Sequence, residues 1–130
     1  MDNVKLIQKA IIKKGGKFLF LKRSENDKNL PGYWDMPGGK PNFGENPEKA
    51  LLREVKEETN LAIKIISPLA VTSFISKISG EYCFCVGYLC ETKSDKIKLS
   101  EEHSEFKWVA LKEAKKLKIA VFIHEFLKNL

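Results

Sequence analysis

The hydrophobic positions of this chain change period several times, and each change marks an element. Val4 to Lys13 and Lys17 to Arg23 are apolar-rich and β-prone, and the "KGG" between them predicts a hairpin turning near Gly15 and Gly16. Within the second segment "FLFL" has no polar face, so that strand is expected to be buried on both sides. The pattern then breaks from Ser24 to Gly44, a stretch with three Pro and four Gly. A connection that long inside a domain is more often functional than accidental. From about Pro47 to Thr59 the spacing becomes helical, with Asn46 suited to cap the helix and Pro47 to its first turn. "LAIKII", "LAVTSFIS" and "EYCFCVGYLCE" read as strands, the last pair turning near Ser79 and Gly80, and "FKWVAL" as a short further strand. "LKEAKKL" predicts a helical turn or two. Ile119, Phe122, Ile123, Phe126, Leu127 and Leu130 then recur at helical spacing, an amphipathic C-terminal helix that closes the core. The sum is an α+β fold, an α/β/α sandwich in which a mixed central β-sheet is flanked by helices.

Composition narrows the class without naming a function. The 130 residues fit one domain, 1–130, and 43% hydrophobic with 31% charged residues indicates neither disorder nor a fibrous repeat. The start, "MDNVKLIQKA", lacks the apolar core of a secretory signal, and the apolar run from Tyr82 to Cys90 is far short of the roughly 18 residues of a spanning helix. A cytoplasmic protein with no membrane partner is expected. Cys83, Cys85 and Cys90 are odd in number, lie in one strand-like segment and have no nearby His at metal-ligand spacing, so buried free thiols are expected. The net charge of +6 comes from scattered Lys with no Arg-aromatic patch, so no specific nucleic-acid binding is expected. A solvated Lys-rich surface, or attraction of small phosphorylated anions, accounts for it. Monomer and homodimer both remain open.

Against that basic background the stretch "REVKEE" is anomalous. At about 100° per residue, Ala50, Glu54, Glu57 and Glu58 share one side of the helix, Arg53 flanks them, and Leu51, Leu52 and Val55 occupy the adjoining arc. Carboxylates at this spacing repel by a few tenths of a kcal/mol per pair and, toward the C-terminal half, also oppose the helix dipole. A hard divalent cation offsets both effects, and Mg²⁺ binds through a few carboxylates while accepting substrate phosphate oxygens. An acidic face neutralised by neighbouring Lys and Arg is the plainer alternative. It loses ground to the preceding "PGGKPNFGE", a glycine turn where backbone can approach a ligand closely.

Gly39 to Leu61, "GKPNFGENPEKALLREVKEETNL", resembles the Nudix box, G-x5-E-x7-R-E-U-x-E-E-x-G-U with U a bulky apolar residue. Gly39, Glu45, Arg53, Glu54, Val55, Glu57, Glu58 and Leu61 match, and Asn60 stands where the family has Gly. Asn is the commonest substitute in a left-handed helix-ending conformation, so the departure is conservative for the backbone. "WDMPGG" before the box and "EEHSEFKWVAL" after it resemble segments of MutT-like members.

The resemblance implies a Nudix-type sandwich and an enzyme that hydrolyses a nucleoside diphosphate linked to another group, using Mg²⁺ or Mn²⁺ to activate water and neutralise the pyrophosphate. It implies Glu54, Glu57 and Glu58 as metal ligands, with Glu54 also a candidate base, and Arg53 as the residue that orients a glutamate. Glu45 is expected to fix the loop or reach a metal through water. Gly38 and Gly39 are expected to offer backbone groups to metal or phosphate. Relatives carry a further glutamate remote in sequence; Glu102 is the candidate, for base or metal ligand, with Glu101 and Glu105 competing. His103 is expected at the surface. Arg23 is a candidate for a substrate phosphate or for an ion pair. Tyr33, Trp34 and Phe74 are candidates for base stacking, set against core packing, the commoner fate of an aromatic. The small-molecule substrate expected is a nucleoside triphosphate, ordinary or oxidised such as 8-oxo-dGTP. ADP-ribose or another ADP-sugar is the alternative, and a non-catalytic nucleotide-binding module a third reading.

Overall fold

The structure is a computed structural model that describes residues 3–130. Strands β1 (Val4–Lys14) and β2 (Lys17–Arg23) form the expected hairpin, but they pair only at its turn, Lys13 with Phe18 and Lys14 with Lys17. Beyond that they splay. On one side of the gap β2 pairs with β7 (His103–Val109) and with the two-residue β3 (Trp34–Asp35). On the other, Gln8 and Lys9 of β1 pair with Gly39 and Gly38 of β4 (Gly38–Gly39), so the glycine pair of the long loop is drawn into the splay. The free edge of β1 runs parallel to β6 (Tyr82–Glu91), which is antiparallel to the edge strand β5 (Lys64–Ile75). One parallel pair among antiparallel ones makes the sheet mixed, as expected.

Two apolar segments expected as separate strands, "LAIKII" and "LAVTSFIS", instead supply one long β5. Pro68 is tolerated because β5 is an edge strand, and register shifts at Ile65/Ser67 and Pro68/Ala70 absorb the irregularity. Helix α1 (Pro47–Thr59) has the expected bounds: the Asn46 side chain accepts from the Lys49 N–H at 3.1 Å, and Asn60 ends it at φ 65°, its N–H donating to Lys56 O at 2.9 Å. Short α2 (Leu111–Ala114) and α3 (Val121–Leu127) follow β7.

The sheet is buried on both faces, and "FLFL" divides between them. Leu19 and Leu21 join Ala10, Ile12 and Cys90 under Leu51 and Val55 of α1, while Phe18 and Phe20 join Ile11 and Met36 under Ile123, Phe126 and Leu127 of α3. Each fully buried side chain of this size contributes roughly 1.5–3 kcal/mol. Leu52, expected on the docking arc of α1, is exposed instead. The three cysteines are buried free thiols, and burial pushes the Cys85 and Cys90 thiols up to about 12, far from a nucleophilic thiolate at neutral pH. Among the described residues no helix is long and apolar enough to cross a membrane.

Candidate active site

Docking α1 through Leu51 and Val55 turns its carboxylates toward the glycine pair of β4 and grades them from solvent inward. Glu57 is largely exposed, Glu54 half-buried, and Glu58 only 6% exposed. Glu58 Oε1 accepts the Gly38 N–H at 2.9 Å. That contact depends on glycine: at φ 142° a Cβ on residue 38 would lie 2.1 Å from Gln8 O, so no side chain fits between β4 and β1. Burial pushes the Glu58 carboxyl up to about 8, with Asp35 and Glu102 adding to the rise and Lys9 and the Gly38 N–H opposing it. Glu54 is also shifted upward, chiefly by burial and with help from Glu57 and Glu102, while Arg53 pulls the other way. Gly39 sits against the Glu54 carboxylate, where an added Cβ would come within 3.0 Å.

Arg53 ties the helix to the loop before it. Its Nε and Nη2 form a fork on Glu45, at 2.8 and 2.9 Å, and its Nη1 reaches Glu54 at 3.2 Å and Glu57 at 3.3 Å. Glu45 also accepts the Asn42 N–H at 2.9 Å, and these donors, Arg53 first, hold its carboxyl down at about 2. Arg53 thus contacts three glutamates at once, and Glu45 joins it to the backbone of the preceding loop.

The remote glutamate arrives through the open end of α1. The Lys98 N–H donates to Thr59 O at 3.0 Å and the Ser100 N–H to Glu58 O at 3.2 Å, satisfying carbonyls that a helix C-terminus leaves unpaired. This contact seats residues 100–103 against Glu58. Ligating atoms of Glu58, Glu102 and His103 then lie within 4.8 Å of one another, whereas Glu101 and Glu105 are exposed and outside the cluster. His103, expected at the surface, is buried at 8% exposure. The cause is a register shift between Lys22 and Arg23, which pairs Arg23 with His103 and turns the ring inward. Burial pushes its imidazole down to about 4, so the ring is neutral at physiological pH.

A second buried charged cluster adjoins the first. Asp35 Oδ2 accepts Lys9 Nζ and Arg23 Nη1, each at 3.0 Å, and Oδ1 accepts the Met36 N–H at 2.8 Å. Arg23 also donates its Nε to Asn29 O and its Nη2 to Asp27, both at 2.8 Å, so each of its three nitrogens is bonded to protein and ion pairs hold the guanidinium in place. Trp34 belongs to the core on the α3 side at 8% exposure, with the Lys107 ammonium 4.7 Å from its ring, and is closed to a stacking base. Tyr33 is half-buried beside the Lys118 ammonium, and half-buried Phe74 lies parallel to Phe122 at 5.5 Å, so each ring has one neighbour already. The structure thus links Gly38 to Glu58, Gly39 to Glu54, Arg53 to Glu45, Glu54 and Glu57, and Glu102 to Glu58; Arg23 borders this group through Asp35 and His103, while Tyr33, Trp34 and Phe74 pack against other side chains. Sequence reasoning missed Lys9 and Asp35. The signal was Gln8 and Lys9, two polar residues side by side in an apolar strand.

The site suits a divalent cation on its own chemistry. Glu102 and His103 stand beside Glu58, Glu54 and Glu57 follow on the same helix with Arg53 the one cation bonded to them among the described residues, Glu58 is buried with one backbone donor, and His103 Nδ1 has no hydrogen-bond partner among the described residues. A mixed sheet between helices, with a box helix presenting carboxylates to a glycine turn, is the Nudix-type sandwich that the box implied. The NUDIX domain model matches residues 9–130, and the chain belongs to the Nudix family of hydrolases. It is 31% identical over 116 residues to the ADP-ribose pyrophosphatase of Methanocaldococcus jannaschii, covering 89% of this chain but only 66% of that protein. It is 28% identical over 108 residues to the nucleoside triphosphatase NudI of Escherichia coli, covering 76% of this chain and 77% of NudI. The MutT protein from Methanosarcina mazei superposes with a TM-score of 0.87 at 28% identity, covering 98% of this chain and 92% of the other.

Proposed function

We propose that this hydrolase cleaves nucleoside triphosphates, ordinary or oxidised such as 8-oxo-dGTP, to a monophosphate and pyrophosphate. The convergence of Glu54, Glu57 and Glu58 on one face of α1, with Glu102 brought beside Glu58, carries the reading. These four and the Gly38 backbone would hold Mg²⁺ or Mn²⁺, which when bound supplies charge neutralisation on the pyrophosphate and a more acidic water. Arg53 keeps Glu54 and Glu57 in register. Burial raises the proton affinity of Glu54, the direction a general base needs. The likeness to NudI supports the triphosphate substrate. The archaeal relative at 31% identity favours ADP-ribose as the second reading, within the same chemistry.

A panel of nucleoside triphosphates, oxidised triphosphates, ADP-ribose and dinucleoside polyphosphates, with products separated, decides between them. Pyrophosphate with a monophosphate supports the first reading; AMP with ribose phosphate supports the second. Glu57→Gln is expected to remain folded and lose on the order of 10²–10³-fold in kcat. Equal activity in chelator would refute the metal role.

A further inference from the structure

A buried imidazole nitrogen without a partner requires an explanation, because a polar atom taken out of water and left unsatisfied destabilises the fold. His103 Nδ1 is sealed from solvent and unpaired among the described residues, and the ring offers a nitrogen within 4.8 Å of carboxylate oxygens of both Glu58 and Glu102. We propose that His103 is a nitrogen ligand of the cation held by Glu58 and Glu102, and that it biases the site toward manganese and later transition ions over magnesium. This deepens the metal-dependent reading above and rests on it.

The geometry supports ligation. Ligands on opposite sides of an ion at about 2.1 Å stand about 4.2 Å apart, so three atoms within 4.8 Å need only small side-chain shifts to share one. The backbone beneath them is fixed: the His103 N–H donates to Ser100 O at 3.4 Å, the Ser24 N–H donates to Glu102 O at 3.0 Å, and His103 pairs with Arg23 across the ladder. The other charged groups near the ring are Asp35, Asp27, Lys9 and Arg23. Both cations are bound to Asp35, so their charge is largely answered before an ion arrives. An imidazole suits transition metals, whereas magnesium prefers oxygen donors throughout.

The test is direct. Mn²⁺ is titrated into the full chain and the bound ion is observed by pulsed electron paramagnetic resonance, which detects a coordinated nitrogen without reference to catalysis. The chain has two histidines, so ¹⁵N-histidine labelling should convert the coupling from ¹⁴N to ¹⁵N, and His124→Gln should preserve it. In His103→Gln the coupling is expected to vanish, with Mn²⁺ affinity reduced at least about tenfold and Mg²⁺ affinity reduced less. Should that variant fail to fold, the labelled wild type and His124→Gln still decide. Mn²⁺ that binds in a Glu58-dependent way without nitrogen coupling overturns the His103 ligand and leaves the metal reading standing. No Mn²⁺ binding, or binding indifferent to Glu58→Gln and Glu57→Gln, overturns both.

Discussion

Asp35 and Glu58 are each 6% exposed and both feel the charge of Lys9, yet their protons behave in opposite ways. Burial alone would raise both. Asp35 meets two cations and a backbone N–H, which together hold its carboxyl below the ordinary range. Glu58 meets one backbone N–H and other acids, and its carboxyl rises to about 8. Partners, rather than depth, decide the outcome. The complete cluster ties β1, β2 and the loop together, whereas the incomplete one carries an unmet demand that a bound cation would satisfy.

Removing the acid from the complete cluster should have the largest effect. Asp35→Ala strands the buried Lys9 and takes one of two acids from Arg23, and about 3–5 kcal/mol of stability should be lost, read by urea unfolding. A loss under about 1 kcal/mol would erase the contrast. The incomplete cluster should respond in the opposite sense. In the metal-free protein the folded carboxyl of Glu58 lies near 8 against about 4.5 unfolded, so the stability it contributes is fully present below about 4.5 and is lost as pH rises through about 8. Glu58→Gln does not titrate. The metal-free variant should therefore match wild type near pH 4.5 and exceed it by on the order of 2–3 kcal/mol at pH 8. Adding Mg²⁺ should stabilise wild type and not the variant, which should also be inactive.

Local features of the fold were legible and long-range pairings were not. Asn46, Pro47 and the glutamate spacing marked α1 and its charged face because capping and helical period act within a few residues. The hairpin turn was equally local. The splay of β1 from β2 was hidden, since a two-residue strand such as Gly38–Gly39 has no period to detect. For Arg23 the choice between phosphate and ion pair rested on where Asp27, Asn29 and Asp35 fold. Lys9 finds its acid 26 residues away, and His103 turns inward through a shift in a partner strand. Both lie at the site, so what the sequence concealed was the setting of the carboxylates, not their identity.

The smallest expected effect isolates that setting. Asn60 is exposed, holds φ 65° and lies two residues beyond Glu58, where its N–H closes the end of α1 on Lys56 O. A left-handed residue with a Cβ pays a steric cost that glycine avoids, so Asn60→Gly should stabilise the protein by about 0.5–1 kcal/mol. If Gly38, Glu102 and burial set the proton affinity of Glu58, the gain should be the same at pH 4.5 and pH 8. It should also add to the loss in Asp35→Ala, with which Asn60 shares no partner. A gain that changes across that pH range would mean that the helix end tunes Glu58. The difference between the two buried acids would then owe as much to how α1 terminates as to the partners each one meets.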